Sequence, residues 1–281
     1  MNGFFNLNKP LGISSAKAVW QVKNKFKIKD KIGHMGTLDP LASGVLVVAI
    51  GRANRLFDKM LDKTKQYITT FDFGYQTASI DKESEEIVFK SDIIPNLEQI
   101  NAILPDFLGE QLQTAPIYSA KNINGQRAYH LARRGENIEI KPHKITIYDI
   151  KCLKQISETA FEFEITCSGG TYIRSICRDL ANKLNTYATM IELKRTKCGV
   201  FDILNSKNIE DIEESDLYDM GIALNDLSEL SLEEEIVQKI KDGKIVQIEK
   251  PDGEYCVKLN GLTIGIGKIA DKIIKIKPWL L

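Results

Sequence analysis

GHMGTLDPLASG (33–44) runs directly into VLVVAI (45–50), and the reading of this junction decides the fold. Three glycines, a proline, a histidine and an aspartate lead into the most apolar run of the sequence, the kind of run a central strand shows. Asp39 precedes Pro40, whose ring keeps the residue before it out of the helical region, so the carboxylate sits in an extended, rigid turn. A carboxylate fixed beside a buried strand is how a nucleophile or a general base is placed. The same residue also fits an aspartate that caps its own turn through Asx-type hydrogen bonds.

Outward from this junction, NGFFNLN (2–8) reads as an opening strand and Pro10-Leu11-Gly12 as a turn. Ser14 or Ser15 then caps a helix carrying Ala18, Val19, Val22 and Phe26 at helical spacing. After Gly51, Leu56, Met60 and Leu61 suit a short amphipathic helix. QYITTFDFGY (66–75) predicts a strand and NLEQINAIL (96–104) a helix. KITIYDIKCL (144–153) and FEFEITC (161–167) predict two more strands. TYIRSICRDLANKL (171–184) predicts a helix with Ile173, Ile176, Leu180 and Leu184 inward, and MIELKRTKCGVF (190–201) returns as a strand.

Strands and helices mingle without the strict alternation of a parallel sheet, so the class is α+β, a mixed or antiparallel sheet with flanking helices. The acidic stretch 206–235 reads as a helical connector. Beyond it, IVQIEK (245–250), EYCVKLN (254–260) and LTIGIGKIA (262–270) read as short strands broken by the hairpin signals Asp252-Gly253 and Asn260-Gly261. That makes a small C-terminal β module leaning on the main domain. The division is a main domain at 1–205, a connector at 206–235 and the module at 236–281.

Hydrophobic residues at 43% and charged residues at 27% exclude collagen-like, mucin-like and wholly disordered chains. No window approaches the roughly 18 consecutive apolar residues of a membrane-spanning helix. The start, MNGFFNLNKPLG, lacks the basic and then apolar regions of a secretory signal. Five cysteines without a C-x-x-C pair, beside three histidines, give a zinc site little to build on and point to reduced thiols in a cytoplasm. The formal net charge is zero, yet residues 1–70 carry a net +8, 202–235 a net −11 and 236–281 a net +4. Two basic segments separated by an acidic one present a basic face, although Lys23, Lys25, Lys27, Lys29 and Lys31 also fit a plain solvated surface.

GGTYIRSICRDL (169–180) is a second unusual stretch: Gly169 and Gly170 turn the backbone, and Tyr172 and Arg174 follow at the start of the helix. An arginine directed inward there requires a carboxylate partner, because an unpaired buried charge is costly; an ordinary surface arginine requires none. Tyr67 reads locally as a strand aromatic in the core. YSAKNINGQRAYHLARRG (118–135) interleaves Lys121, Arg127, Arg133 and Arg134 with Tyr118, Tyr129 and His130. That pattern fits phosphate contacts with base stacking and equally an exposed amphipathic helix.

NKPLGISS, GHMGTLDPLASGVL, DKTKQY, YSA…NGQRAYHLARRG and CSGGTYIRSICRDL stand here in an order and spacing that resemble the bacterial tRNA pseudouridine-55 synthases of the TruB type, from about residue 3 to residue 203. Residues 236–281 resemble a reduced form of the RNA-binding PUA module often appended in that family. The resemblance implies a pseudouridine-synthase-like sheet, with Asp39 as the catalytic aspartate, Tyr67 as the active-site tyrosine packing on the target base, and Arg174 as the arginine paired with the aspartate. It also places His34 in recognition of the RNA loop, Tyr172 and Leu193 in the nucleotide pocket, and Lys9 in the N-terminal K-P motif. Lys121, Arg127 and Arg133 are the expected RNA contacts. The departures are Met35 where threonine is common, Lys121-Asn122 after Tyr-Ser-Ala, and GYQTASIDKE in place of a fuller T-D-T-x-D pattern.

The implied reaction isomerises uridine 55 of the tRNA T-arm loop to pseudouridine after the base is flipped out. It implies a cytoplasmic monomer with tRNA as partner and with no cofactor, metal or membrane. Two rival classes frame that expectation. A non-catalytic RNA-binding protein would not require the Asp39, Tyr67 and Arg174 set. A glycosidic hydrolase would require a second acid beside Asp39.

Overall fold

In a computed structural model, the chain is described at residues 1–118 and 140–281, with the backbone alone at 122–123 and 126–127. The first strands are β1 (Gly3–Lys9), β2 (Ile32–His34), β3 (Ala42–Ile50) and β4 (Lys65–Phe73). A side hairpin, β5 (Tyr75–Thr77) with β6 (Ile87–Lys90), precedes β7 (Gly109–Gln113) and the two-residue pair β8 (Asn122–Ile123) and β9 (Gln126–Arg127). Then come β10 (His143–Gln155), β11 (Ala160–Cys167), β12 (Ala188–Cys198) and β13 (Phe201–Asp202). The last strands are β14 (Ser228–Ser231), β15 (Gly253–Leu259), β16 (Leu262–Ala270) and β17 (Ile273–Trp279). The described α-helices are α1 (Ser15–Lys25), α2 (Phe57–Leu61), α3 (Leu97–Ile103), α4 (Ile173–Lys183) and α5 (Glu234–Lys241).

The main sheet runs β1-β3-β12-β4-β11-β10-β7, with β2 on β3 and β13 on β12. Its described ladders are antiparallel except β3 with β12, which run parallel, so the expected α+β class with a mixed sheet is what the chain adopts. VLVVAI is apolar throughout because both faces of β3 are covered. Leu46, Val48 and Ile50 enter a core with Ala18 and Val22 of α1, and with Phe71 and Phe163, whose rings lie 4.8 Å apart. Val45, Val47 and Ala49 enter a second core with Phe4, Phe201 and Met220 and with Cys256, Ile266 and Leu280 of the C-terminal region. Met35, the sequence's departure from threonine, is 2% exposed in that second core.

Local chemistry explains the helix ends. The Ser14 hydroxyl accepts from the Lys17 amide at 3.1 Å and caps α1. Asn96 and Gln99 form a reciprocal capping box on α3. Helix α4 turns Ile173, Ile176, Cys177 and Leu180 inward, and Arg174 is buried with them.

The C-terminal sheet, ordered β14-β15-β16-β17, differs from the sequence reading, which named no strand at Ile273–Trp279, in several other places too. IVQIEK is not a strand; within it Gln247 makes a single bridge to Ile273. Asp252-Gly253 only opens β15, whereas Asn260 and Gly261, with φ of 50° and 79°, do close the β15–β16 hairpin. Before α5 begins at Glu234 the connector holds no α-helix, only 3-10 turns at Glu214–Asp216 and Met220–Leu224, and it donates β14 to the C-terminal sheet. Tertiary pairing explains this: Tyr218 exchanges two backbone hydrogen bonds with Phe4, and Lys207 pairs with Asn6 and Asn8, so the stretch runs along the outer edge of β1.

At the end of β1, Lys9 is fully buried, and its Nζ donates to the carbonyls of Pro10 at 2.9 Å and Ile13 at 2.7 Å. Burial pushes its pKa down to about 8, against the pull of Asp39 and Glu83. Between pH 8 and the ordinary lysine value of 10.5 the unfolded chain therefore binds the proton that the folded chain has lost. Stability contributed through this group rises with pH across that window. Melting temperatures from pH 7 to 10.5 should rise more steeply in the wild type than in Lys9→Met, which keeps only what other groups such as Lys65 contribute.

Candidate active site

The loop between β2 and β3 is fixed from every side. The Ser15 hydroxyl donates to the Leu38 carbonyl and accepts from the Leu38 amide, both at 2.8 Å. Gly12 N donates to the Pro40 carbonyl at 2.8 Å, and Ala42 N to the Asp39 carbonyl at 3.0 Å. The Leu41 amide donates to Glu83 Oε1 at 2.9 Å. Asp39 thus caps the turn with its main-chain oxygen, and its carboxylate faces elsewhere: Oδ2 lies 3.0 Å from Arg174 Nη2.

Arg174 is the hinge of the site. It is 7% exposed and the second residue of α4, and its Nη1 lies 3.0 Å from Asp81 Oδ2 and donates to the Ser79 carbonyl at 3.2 Å. Asp81, fully buried, accepts through Oδ1 from the Ser79 hydroxyl at 2.5 Å and from the Glu83 amide at 3.0 Å. Burial pushes the Asp81 pKa up, and Arg174 and these donors pull it back toward the ionised form. One guanidinium therefore bridges a buried carboxylate and a half-exposed one, which fixes the direction of the second.

A cleft of about 220 Å³ opens at this pair, lined by Asp39, Lys65, Tyr67, Tyr172, Arg174, Leu193 and Arg195 among others. Strand register assembles it: on β4, Tyr67 lies opposite Ile165 of β11 and Arg195 of β12, and Leu193 lies two residues from Arg195. Tyr67 is buried, and desolvation pushes its phenol up to about 12, so it is neutral at pH 7 and offers a ring face and a hydroxyl. Close approach makes the cleft walls possible. At Gly44, φ is +97° and an added Cβ would stand 2.2 Å from the Arg195 carbonyl; at Gly169 it would stand 1.8 Å from that of Leu61. Tyr172 precedes α4, with its backbone N–H and carbonyl both held by the Gln113 amide at 2.8 and 3.1 Å.

The structure thus brings Asp39, Tyr67, Tyr172, Arg174 and Leu193 to one cleft. Lys9 and His34 are not among the lining residues; Lys9 serves the 10–13 turn, and His34 ends β2 opposite Val48. Lys121 and Arg133 lie outside the described residues, and Arg127 is described only as backbone of β9. Sequence reasoning missed Asp81, Glu83, Lys65 and Arg195. Asp81 stood inside the quoted GYQTASIDKE, but nothing local distinguishes a buried acid from a loop acid. Among the described residues, no group of three or more His, Cys, Asp or Glu is placed to hold a metal ion, and no helix is long and apolar enough to cross a membrane.

The family model for the TruB family pseudouridylate synthase N-terminal domain matches residues 23–173, and that for the tRNA pseudouridylate synthase B C-terminal domain matches residues 174–232. The tRNA pseudouridine synthase B of Rickettsia bellii is 41% identical over 280 residues, covering 96% of this chain and 95% of that protein. That of Clostridium kluyveri is 38% identical over 290 residues, covering 98% and 99%. Among solved structures, a Cbf5-Nop10-Gar1 complex aligns with a TM-score of 0.75 over 99% of this chain and 85% of that one, at 22% identity, a likeness of fold. With these matches spanning the cleft and the strands that build it, the chain belongs to the TruB family of pseudouridine synthases and is an isomerase.

Proposed function

We propose that the chain converts uridine 55 in the T-arm loop of tRNA to pseudouridine, with Asp39 as the catalytic carboxylate. The single observation that carries this is the Asp39 carboxylate held 3.0 Å from Arg174 in a cleft that also presents a neutral tyrosine. In the reaction the N1–C1′ bond breaks, the base turns while bound, C5 bonds to C1′, and the C5 proton is lost as N1 gains one. A base inside a folded loop is reached only by flipping it out, at roughly a few kcal/mol of lost stacking. Stacking on Tyr67 offsets about 1–3 kcal/mol of that.

Asp39 works as an anion, whether it attacks C1′, adds to C6 or removes a sugar proton. The Arg174 guanidinium pairs with that carboxylate and aims it. Asp81 then serves as a positioning residue, because it holds the other side of Arg174. In this reading residues 1–205 form the catalytic domain. The acidic connector lends β14 to a PUA-like module at 236–281 that binds RNA beyond the T arm. Residues 1–70, with their net +8, supply part of the phosphate-facing surface.

An unmodified tRNA transcript treated with the protein, then mapped by carbodiimide labelling and primer extension, should show one stop in the T loop. Asp39→Asn should bind tRNA within about twofold of the wild type and give no stop, since it keeps the side-chain shape and loses only the charge. Released free uracil would instead favour a hydrolase, and binding without any stop in the wild type a non-catalytic RNA-binding protein. Arg174→Lys should lower the single-turnover rate by about a hundredfold, because an ammonium cannot bridge two carboxylates with planar geometry and misplaces Asp39. A rate near that of the wild type would show that the pairing does not set the chemistry.

A further inference from the structure

Two further cations line the cleft, and the carboxylates do not account for them. Arg195 is 2% exposed and is held by main-chain carbonyls: Nε by Val45 at 2.7 Å, Nη2 by Gly36 at 3.2 Å and Nη1 by Thr37 at 3.5 Å. Lys65 is 4% exposed, and its Nζ donates to the carbonyls of Met60, at 3.2 Å, and of Leu61. Among the described residues neither has a carboxylate ion-pair partner, whereas Arg174 beside them has two. Burying a full charge on neutral acceptors alone is expensive. Desolvation lowers the pKa of Lys65, and repulsion from Arg195 lowers it further, so the two charges sense each other.

Their placement is specific. Lys65 and Tyr67 lie on one face of β4, two residues apart, and Arg195 is the β12 register partner of Tyr67. An ammonium has three N–H donors and a guanidinium five. The partners named above leave at least one N–H donor unused on each cation, and both residues line the cleft.

We propose that Lys65 and Arg195 are catalytic residues that hold the negative charge of the uracil while it is detached. When N1–C1′ breaks, the electron pair goes to N1 and spreads over O2 and O4; it returns to carbon when C5 bonds to C1′. Fixed donors beside a charge that develops only in the transition state lower the barrier without reorganising. This inference rests on the cleft being the reaction site, and it adds a cationic floor that the Asp39–Arg174 pair does not supply.

The test compares single-turnover cleavage and tRNA affinity for Lys65→Gln and Lys65→Met on tRNA carrying uridine or 5-fluorouridine at the target. The glutamine keeps a donor for the Leu61 carbonyl, so it removes the charge and preserves the tie to α2 if the methionine variant fails to fold. Affinity should stay within about threefold of wild type, while the rate falls by about a hundredfold with uridine and by less than about tenfold with 5-fluorouridine, whose base bears the charge more readily. Lys65→Arg should keep the rate within about tenfold of wild type. An equal loss on both bases, or a loss seen in affinity alone, would overturn the proposal and make Lys65 a structural clasp. Wild-type conversion that is abolished by Asp39→Asn in the same assay keeps the reading of the reaction separate from this one.

Discussion

A guanidinium shared between two carboxylates organises this molecule. Arg174 reaches Asp39 with one nitrogen and Asp81 with the other, each at 3.0 Å. The three residues come from the β2–β3 loop, the segment after β5 and helix α4, which are distant in sequence and meet only when the main sheet forms. Breaking such a buried pair by removing one partner leaves an uncompensated charge, a loss of about 3–5 kcal/mol. The arrangement therefore couples folding of the sheet to the aim of the Asp39 carboxylate. Glu83, two residues past Asp81, holds the Leu41 amide, so one short segment registers both the arginine and the aspartate loop.

The strand that carries this loop into the sheet is covered on both faces. One face of β3 packs under α1 and the other against the C-terminal region, which shares its second core with Phe4 and Val47. The C-terminal sheet is thus fixed to the back of the strand whose front end bears Asp39. Covering the β1 edge with the acidic connector completes the closure of that side.

Much of this was legible in the sequence. VLVVAI announced a central strand, Ser14 or Ser15 a helix cap, and Asn260-Gly261 a hairpin, because each signal depends on residues within a few positions of one another. Asp39 was legible as a fixed carboxylate because Pro40 restricts it locally. The choice between a turn cap and a reactive group was not, since it depends on Arg174, far along the chain. Asp81, Lys65 and Arg195 were missed for the same reason: their burial and partners are set by strand register, and a charged residue in a strand reads as an edge or surface position. The connector was misread as helical because pairing with β1 overrides its local preference, and IVQIEK as a strand because an apolar alternation does not by itself supply a partner.

In the proposed reading the site works like other carboxylate-based active sites: one carboxylate is aimed by a cation, and a neutral aromatic holds the base. Its strength lies in the cooperation of Arg174 with Asp81, and a double-mutant cycle measures that cooperation directly. Single-turnover pseudouridine formation would be compared for Arg174→Lys, Asp81→Asn and the pair together. If the three groups act as one unit, the double variant is no slower than the slower single variant, because either change alone already releases Asp39. Losses that simply multiply would contradict the account, for they would mean that Asp81 and Arg174 act on the reaction independently.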